Sequence, residues 1–444
     1  MYLNLEVPPG STYDHPTHAT FEEDDNAGST AAHVHGASRK IRVLLYSHDT
    51  FGLGHLRRNL AIVEGLLRHP ERFSVQLLTG SPVIRNWRLP GGLKVQPLPP
   101  VVKTGAERYA SRDSAHMFGL VKGYREALIL KTVLRYRPDV FLVDHAPAGM
   151  NGELLSTLAL IRREFPGMRT VLGLRDILDS PEIVKAVWQE QDIYKLLEQA
   201  YDDIFVYGSE VLVDVARSYG LTGNIASRVH YCGHVVAAAE PAQRPDRLDT
   251  REVCWNRRRA GARPVILVTA GGGGDGHFLM EAYLHAQAQS ATRGYYSVIV
   301  TGPLMPADQK AALHALAADR DDVELVDQTT NLVPSLEAAH LVVAMAGYNT
   351  SAEIIAARQR AILVPRTAPR MEQRIRAQLL TRLGVVRSIE PGPDLVRDLA
   401  ALLPVAVSAP PPSAAAWASL DLNGAGRVAE QLLEMTSDRR ECAA

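Results

Sequence analysis

The chain has 444 residues, and 48 Lys and Arg stand against 49 Asp and Glu, giving a formal net charge of −1. This balance excludes a strongly basic protein that binds nucleic acid through bulk charge, so we expect no nucleic-acid partner. The length predicts about two to three domains, and a hydrophobic content of 46% is ordinary for a globular protein with a buried core.

The first segment, residues 1–39, is rich in Pro, Ser, Thr, His and acidic residues and short of aliphatic ones. Such a composition cannot bury enough apolar surface to fold, which predicts a disordered tail. His33 and His35 could hold a metal ion, but no neighbouring residue completes a site. We therefore predict no metal site in this protein.

Residues 40–236 show short apolar runs alternating with helical patterns. The predicted buried strands are 41–46, 73–79, 139–143, 170–174, 203–207 and 229–232. After the first strand, Leu56, Leu60, Val63 and Leu67 fall on one helical face. Continuous apolar strands separated by helices favour a parallel sheet covered on both faces.

A Pro- and Arg-rich segment at residues 237–263 interrupts the pattern and is interpreted as a linker. The alternation restarts in residues 264–422, with predicted strands at 265–269, 296–300, 323–326, 341–344 and 361–365. The predicted fold class is therefore α/β, with two doubly wound, Rossmann-like parallel-sheet domains. Ligands of such sheets bind beyond the carboxyl ends of the strands.

The loop after the first strand carries Gly52, Gly54 and His55 at the start of a helix. The glycines let the backbone approach a ligand, but Arg57 stands where a dinucleotide fingerprint has its third glycine. At a helix start the positive dipole disfavours a charged imidazole, so His55 is a candidate general base. The alternative is that the His55 side chain merely forms a hydrogen bond to a loop carbonyl group.

Three loops of the second domain also end strands and begin helices. Gly271, Gly272, Gly273 and Gly274 form a run whose N–H groups suit a phosphate, although no P-loop lysine follows. The second loop carries Gly347, Asn349, Thr350, Ser351 and Glu353. Its polar residues could cap the helix or face a phosphate, and its glutamate could accept ribose hydroxyls. The third, residues 365–374, carries arginines suited to phosphate.

Together these loops resemble the GT-B glycosyltransferases of the family 28 type, which include the N-acetylglucosaminyltransferase of the lipid-linked peptidoglycan precursor. The likeness is strongest over residues 331–378. It implies two domains facing across a cleft and a C-terminal helix, within residues 423–444, that crosses back to the N-terminal domain. It also implies that Glu353 binds the uridine ribose, that Glu372 and Gln373 belong to the donor signature, and that His55 is the acceptor-side base.

The resemblance extends to the phosphate-facing turn at Gly347, Asn349, Thr350 and Ser351, and to the glycine loop, although the family's serine is missing there. The expected activity is metal-independent, inverting transfer of a hexosyl group from a UDP-sugar, which is a co-substrate, with no cofactor. Asp144 and His145, at a strand end, would line the acceptor cleft, unless they merely form a turn before Pro147. Arg175 and Asp176 have a similar position at the end of the next strand. The acceptor is unidentified and could be lipid-linked, a polysaccharide or a small molecule.

Other functions remain open at this point. The string from Gly52 to Arg58 is also similar to the UDP-sugar hydrolase of pseudaminic acid synthesis, which would use water as the acceptor. Relatives of UDP-N-acetylglucosamine 2-epimerase share the fold, and a non-catalytic nucleotide-sugar sensor is a further alternative. The long segment 98–137 contains Tyr109, His116 and Tyr124 and would serve a transferase as a wall of the acceptor cleft.

The sequence predicts a cytoplasmic protein, with peripheral contact at the inner face of the membrane left open. We see no secretory signal. The longest uncharged run, residues 399–420, contains four prolines and is unsuited to a membrane-spanning helix. Three widely spaced cysteines favour a reducing compartment over a disulfide framework.

Overall fold

The computed structural model describes residues 39–49, 53–87, 89–105, 108–111, 118–236, 253–289, 294–329 and 332–442. The predicted tail, except for its last residue, and the predicted site residue Gly52 lie outside the described residues. From Lys40 onward the described chain forms one compact unit. It contains two parallel sheets, and we call the parts around them the N-terminal and C-terminal halves.

The N-terminal half is built on seven parallel strands in the order β3-β2-β1-β6-β7-β8-β9. Two further strands, β4 and β5, pair antiparallel as a separate hairpin. In chain order the strands are β1 (Ile41–Ser47), β2 (Phe73–Thr79), β3 (Leu93–Pro97), β4 (Val101–Gly105), β5 (Arg108–Ser111), β6 (Val140–Asp144), β7 (Arg169–Arg175), β8 (Asp203–Tyr207) and β9 (Val229–Tyr231). The central strands are buried along their whole length because helices cover both faces of the sheet.

The helices of this half are α1 (Gly54–Leu67), α2 (Phe118–Tyr136), α3 (Leu155–Glu164), α4 (Pro181–Glu190), α5 (Ile193–Ala200), α6 (Val215–Ser218) and α7 (Gly223–Ala226). One sheet face packs on α2, α3 and α5 through residues such as Ile129, Leu158 and Leu197. The other face packs on α1, where Leu56 and Leu60 are buried as the helical pattern predicts.

The C-terminal half has six parallel strands in the order β12-β11-β10-β13-β14-β15. They are β10 (Val265–Thr269), β11 (Tyr296–Val300), β12 (Val323–Val326), β13 (Leu341–Ala344), β14 (Ala361–Leu363) and β15 (Arg387–Ser388). The helices are α8 (Arg257–Ala260), α9 (His277–Gln287), α10 (Ala307–Ala317), α11 (Val333–Ala338), α12 (Tyr348–Ala356), α13 (Glu372–Arg382), α14 (Leu395–Ser408), α15 (Ala414–Ala418) and α16 (Gly424–Cys442). Two parallel-sheet units confirm the predicted fold class.

The ends of the C-terminal half connect it to the rest of the molecule. Trp255 and Ala260, within the segment interpreted as a linker, belong to the apolar core of this half. Helix α16 leaves this half and packs on α1. There a Cβ at Gly65 would lie 2.7 Å from the carbonyl oxygen of Ala425, so the helices can approach only because residue 65 is a glycine.

Residues near His234, at the end of the N-terminal half, lie against residues near Asp421, at the end of the C-terminal half. The backbone N–H of His234 donates to Asp421 O at 2.7 Å, and the N–H of Gly424 donates to His234 O at 3.1 Å. At Gly233, where φ is +81°, a Cβ would lie 2.8 Å from Cγ of Asp421. These two segments are therefore hydrogen-bonded and closely packed.

No helix in the described ranges is both long enough and apolar enough to cross a membrane. The uncharged run near residue 400 forms α14, with Pro404 inside the helix. Its buried residues, among them Leu399 and Leu403, pack against the C-terminal sheet.

Candidate active site

The loops singled out in the sequence lie where the carboxyl ends of the two sheets face each other. The loop after β1 begins α1, and the loop after β13 begins α12 on the opposite side. Asn349 joins the two, because its Nδ2 donates to the carbonyl oxygen of Gly54 at 3.1 Å. The sequence-predicted residues of both halves therefore meet at one interface.

His55 and Asp144 form a hydrogen-bonded pair on the N-terminal side. Nδ1 of His55 lies 2.6 Å from Oδ2 of Asp144, whose side chain is only 1% exposed. The other carboxylate oxygen accepts from Arg58, one turn after His55 on α1. Since the carboxylate accepts a hydrogen bond, Nδ1 carries the proton and Nε2 keeps its lone pair.

Burial and the nearby charge of Arg58 determine the protonation states of His55 and Asp144. Burial acts to raise the pKa of Asp144, but the guanidinium of Arg58, and then His55, hold that pKa well below its usual range. Burial, together with the charges of Arg58 and Arg175, lowers the pKa of His55 and outweighs the opposing effect of the Asp144 carboxylate. His55 is therefore a neutral imidazole at neutral pH, held by an ionised carboxylate, with 16% of its side chain exposed.

His145 lies beside this pair without bonding to it. Its ring centroid is 5.1 Å from that of His55, and its backbone has φ of +67°, an uncommon value for a residue with a side chain. The Nδ1 atom is buried and has no partner among the described residues. Burial, followed by the charge of Arg175, holds the pKa of His145 well below its usual value, so this ring is also neutral.

The start of α12 brings the predicted donor residues together. Thr350, Ser351 and Glu353 are buried, and Gly347 directly precedes the helix. One carboxylate oxygen of Glu353 pairs with Arg57 of the opposite half. The second oxygen of Glu353 and the hydroxyl of Ser351 are buried with no partner in the described part of the chain. Burial raises the pKa of Glu353, and Arg57 opposes that shift.

The glycine run after β10 has a structural reason that the sequence analysis did not identify. At Gly273, where φ is +86°, a Cβ would lie 1.9 Å from the carbonyl oxygen of Thr301. Gly272 accepts a hydrogen bond from the N–H of Leu304 at 2.8 Å. Gly271 borders α12, since a Cβ there would lie 3.2 Å from the Thr350 hydroxyl. Gly273 is therefore needed for close packing against Thr301, whereas Gly271 lies next to the start of α12.

Glu372 and Gln373 are buried at the start of α13, and their side chains form hydrogen bonds within the C-terminal half. The Gln373 side-chain oxygen accepts from the N–H of Arg366 at 3.2 Å, and Glu372 Oε1 accepts from the Arg366 guanidinium at 2.7 Å. Oε2 of Glu372 is buried without a partner among the described residues. These two side chains fix the loop after β14.

The structure adds residues at the interface that the sequence analysis did not assign to the site. Arg376 of α13 is 2% exposed and pairs at 2.7 Å with Asp176 of the N-terminal half. The ring of Tyr348 has the guanidinium of Arg58 at 5.6 Å and that of Arg376 at 5.7 Å from its centroid. The position of Asp176 after a strand was the only signal in the sequence for this pair.

Comparison with known families identifies the C-terminal half. Residues 265–400 match the family described as the glycosyltransferase family 28 C-terminal domain. No protein of curated function matches this chain. A solved structure, the glycotransferase of kitacinnamycin, is similar with a TM-score of 0.61 and 17% identity, over 89% of this chain and 98% of that one.

Two other solved structures have the same architecture. MurG of Acinetobacter baumannii has a TM-score of 0.55 and 13% identity, over 89% of this chain and 100% of that one. A putative UDP-N-acetylglucosamine 2-epimerase from Listeria monocytogenes has a TM-score of 0.58 and 14% identity, over 88% and 95%. The chain therefore has the GT-B fold, and the match of residues 265–400 to the family 28 C-terminal domain supports sugar transfer as its general activity. Because an epimerase shares the fold, the fold alone does not assign the reaction.

Proposed function

We propose that this protein transfers a hexosyl group from a UDP-sugar to an acceptor hydroxyl by a single displacement that inverts the anomeric carbon. The hydrogen-bonded pair of His55 and Asp144 carries this proposal. A neutral imidazole with its Nδ1 proton fixed by a buried carboxylate presents Nε2 as a proton acceptor, which is what a general base requires. Its position at the interface allows it to face a donor bound on the other half.

The reaction balances without a covalent intermediate. Nε2 of His55 takes the proton of the acceptor hydroxyl while its oxygen forms a bond to the anomeric carbon. The bond from that carbon to the phosphate oxygen breaks, and its electron pair leaves with UDP. Asp144 keeps its negative charge and stabilises the imidazolium that forms.

The proposed donor site is the start of α12. Glu353 would accept the ribose hydroxyls, and its buried oxygen, which has no partner among the described residues, supports this role. The positive end of the helix and the N–H groups near Gly347 and Gly271 would bind the diphosphate. Glu372 and Gln373, which hold the loop after β14, would border the same ligand. The charge of the leaving group is thus proposed to be stabilised by backbone dipoles and not by a metal ion.

UDP release tests the reaction directly. His55→Ala should lower turnover by about 10²–10⁴-fold and leave UDP affinity within about twofold, because the base acts only in the chemical step. His69→Ala is the matched control, since that histidine is on the same half and 52% exposed. If His55→Ala binds UDP poorly but reacts normally once saturated, the assignment of the base is wrong.

A hydrolase is the second candidate, because the same pair could deprotonate a water molecule. A transferase should release UDP slowly from the donor alone and at least about tenfold faster with its acceptor, because acceptor binding completes the site. Hydrolysis of one UDP-sugar without acceptor at ~1–10³ s⁻¹ would identify a hydrolase. A protein that binds UDP-sugars and never releases UDP would be a non-catalytic sensor.

A further inference from the structure

Arg175 is the last residue of β7 and lies on the same sheet face as the His55–Asp144 pair. Asp144 aligns with Gly173 on the neighbouring strand, so these positions share a face. Arg175 follows Gly173 by two residues and therefore points to that face too. The guanidinium thus stands beside the proposed base at the carboxyl end of the N-terminal sheet.

Arg175 has no carboxylate partner among the described residues, in contrast to the fully buried arginines. Each buried arginine of the described chain is paired with a buried acid: Arg58 with Asp144, Arg125 with Glu153 and Arg376 with Asp176. Arg175 is half-buried, its Nε is buried without an acceptor, and no ion pair joins it to the described residues. A partly buried cation without an opposite charge destabilises the folded protein unless an anion binds beside it.

The charges around Arg175 are mostly positive. Arg58, Arg376 and Arg370 act on it with the same sign, and the carboxylate of Glu372, which opposes them, is already paired with Arg366. Burial, and then Arg58, lowers the pKa of Arg175 to about 10, so it is still charged at neutral pH. His145, whose buried Nδ1 has no partner in the described chain, is influenced by the same guanidinium.

We propose that Arg175, with His145 beside it, binds an oxyanion of the acceptor, so that the acceptor is a molecule carrying a carboxylate or phosphate close to the reacting hydroxyl. This inference rests on the proposed function, because it places the anion next to the base. Arg175 extends from the N-terminal sheet, whereas the proposed diphosphate site is the start of α12 in the other half. An arginine on the acceptor side would select acidic acceptors and orient their hydroxyl toward His55.

Inorganic phosphate is the probe, titrated by calorimetry into UDP-saturated protein at constant ionic strength. We expect wild type to bind one phosphate, and Arg175→Gln to weaken that binding by at least about tenfold, the size of a lost charge-assisted hydrogen bond. UDP affinity should stay within about twofold in the same variant, because the donor lies on the other half. Arg175→Lys should keep part of the phosphate affinity, because it keeps the charge. Arg163→Gln is the control and should keep all of the phosphate affinity, because Arg163 and its partner Glu164 are 72% and 52% exposed.

Two further measurements separate the possible roles. Removing an uncompensated charge should leave the thermal midpoint of Arg175→Gln unchanged or raised, whereas a residue serving only stability would lower it. Equal loss of UDP and phosphate affinity would make the donor diphosphate the true ligand and overturn the acceptor assignment, as would absence of phosphate binding in wild type. If wild type fails to bind UDP, the proposed function fails, and phosphate binding to the ligand-free protein still tests Arg175.

Discussion

Replacing Asp144 with Asn is the most informative change, because it removes one charge and keeps the shape of the side chain. The carboxylate is 1% exposed and bonds to both His55 and Arg58, which is itself 2% exposed. After Asp144→Asn, the Arg58 guanidinium remains buried with no opposite charge beside it. Removing one partner of a buried ion pair costs about 3–5 kcal/mol of unfolding free energy.

The same change should alter catalysis and the response to acid. Without the carboxylate, Nδ1 of His55 is no longer held as the donor, and turnover should fall by about 10²–10⁴-fold. In wild type, the depressed pKa of Asp144 stabilises the fold above the ordinary carboxyl pKa of about 4, and this contribution is lost as the pH falls further. The variant should lack that part of the acid dependence.

Urea unfolding at neutral and acidic pH and the rate of UDP release measure these effects together. Glu164→Gln is the control, because that carboxylate is 52% exposed and pairs with an exposed arginine. An exposed pair contributes only about 0–1 kcal/mol. If Asp144→Asn keeps its turnover and unfolds at the same urea concentration as the control, the buried pair contributes neither to stability nor to catalysis.

The remaining predictions concern the donor. Glu353→Ala should weaken UDP binding by about 1.5–3 kcal/mol in calorimetry, because the ribose loses a charged acceptor, and unchanged UDP affinity would remove this residue from the donor site. Activity should survive EDTA, because helix N-termini and backbone N–H groups are proposed to bind the diphosphate. Complete loss on chelation, restored by Mg²⁺ or Mn²⁺, would contradict that mechanism.

The sequence was sufficient to predict the strands that are buried on both faces. Continuous apolar runs such as residues 203–207 and 265–269 coincide with β8 and β10, because their environment is apolar throughout. The edge strand β3 (Leu93–Pro97) was not predicted, since it is only partly buried and has no such run. The hairpin of β4 and β5 was missed as well, and it lies within the segment expected to form a wall of the acceptor cleft.

The sequence predicted which loops form the site, but it did not predict which side chains pair with each other there. Strand ends mark Asp144 and His145, and helix starts mark His55 and Glu353, because parallel sheets place both kinds of position at one edge. The partners of Glu353 and Asp176 could not be predicted. They are arginines 296 and 200 residues away in the chain, brought near only by the packing of the two halves.

The ring of Tyr348 connects the segment at His234 to the catalytic pair. It stacks on His234, which is hydrogen-bonded to Asp421, with ring centroids 6.2 Å apart. The ring also contacts Arg58, whose guanidinium donates to the carboxylate of Asp144. Tyr348 belongs to the C-terminal half and Arg58 to the N-terminal half, so a rotation of one half against the other would displace this ring against Arg58. Domain closure and the alignment of the base would then be a single, mechanically coupled event.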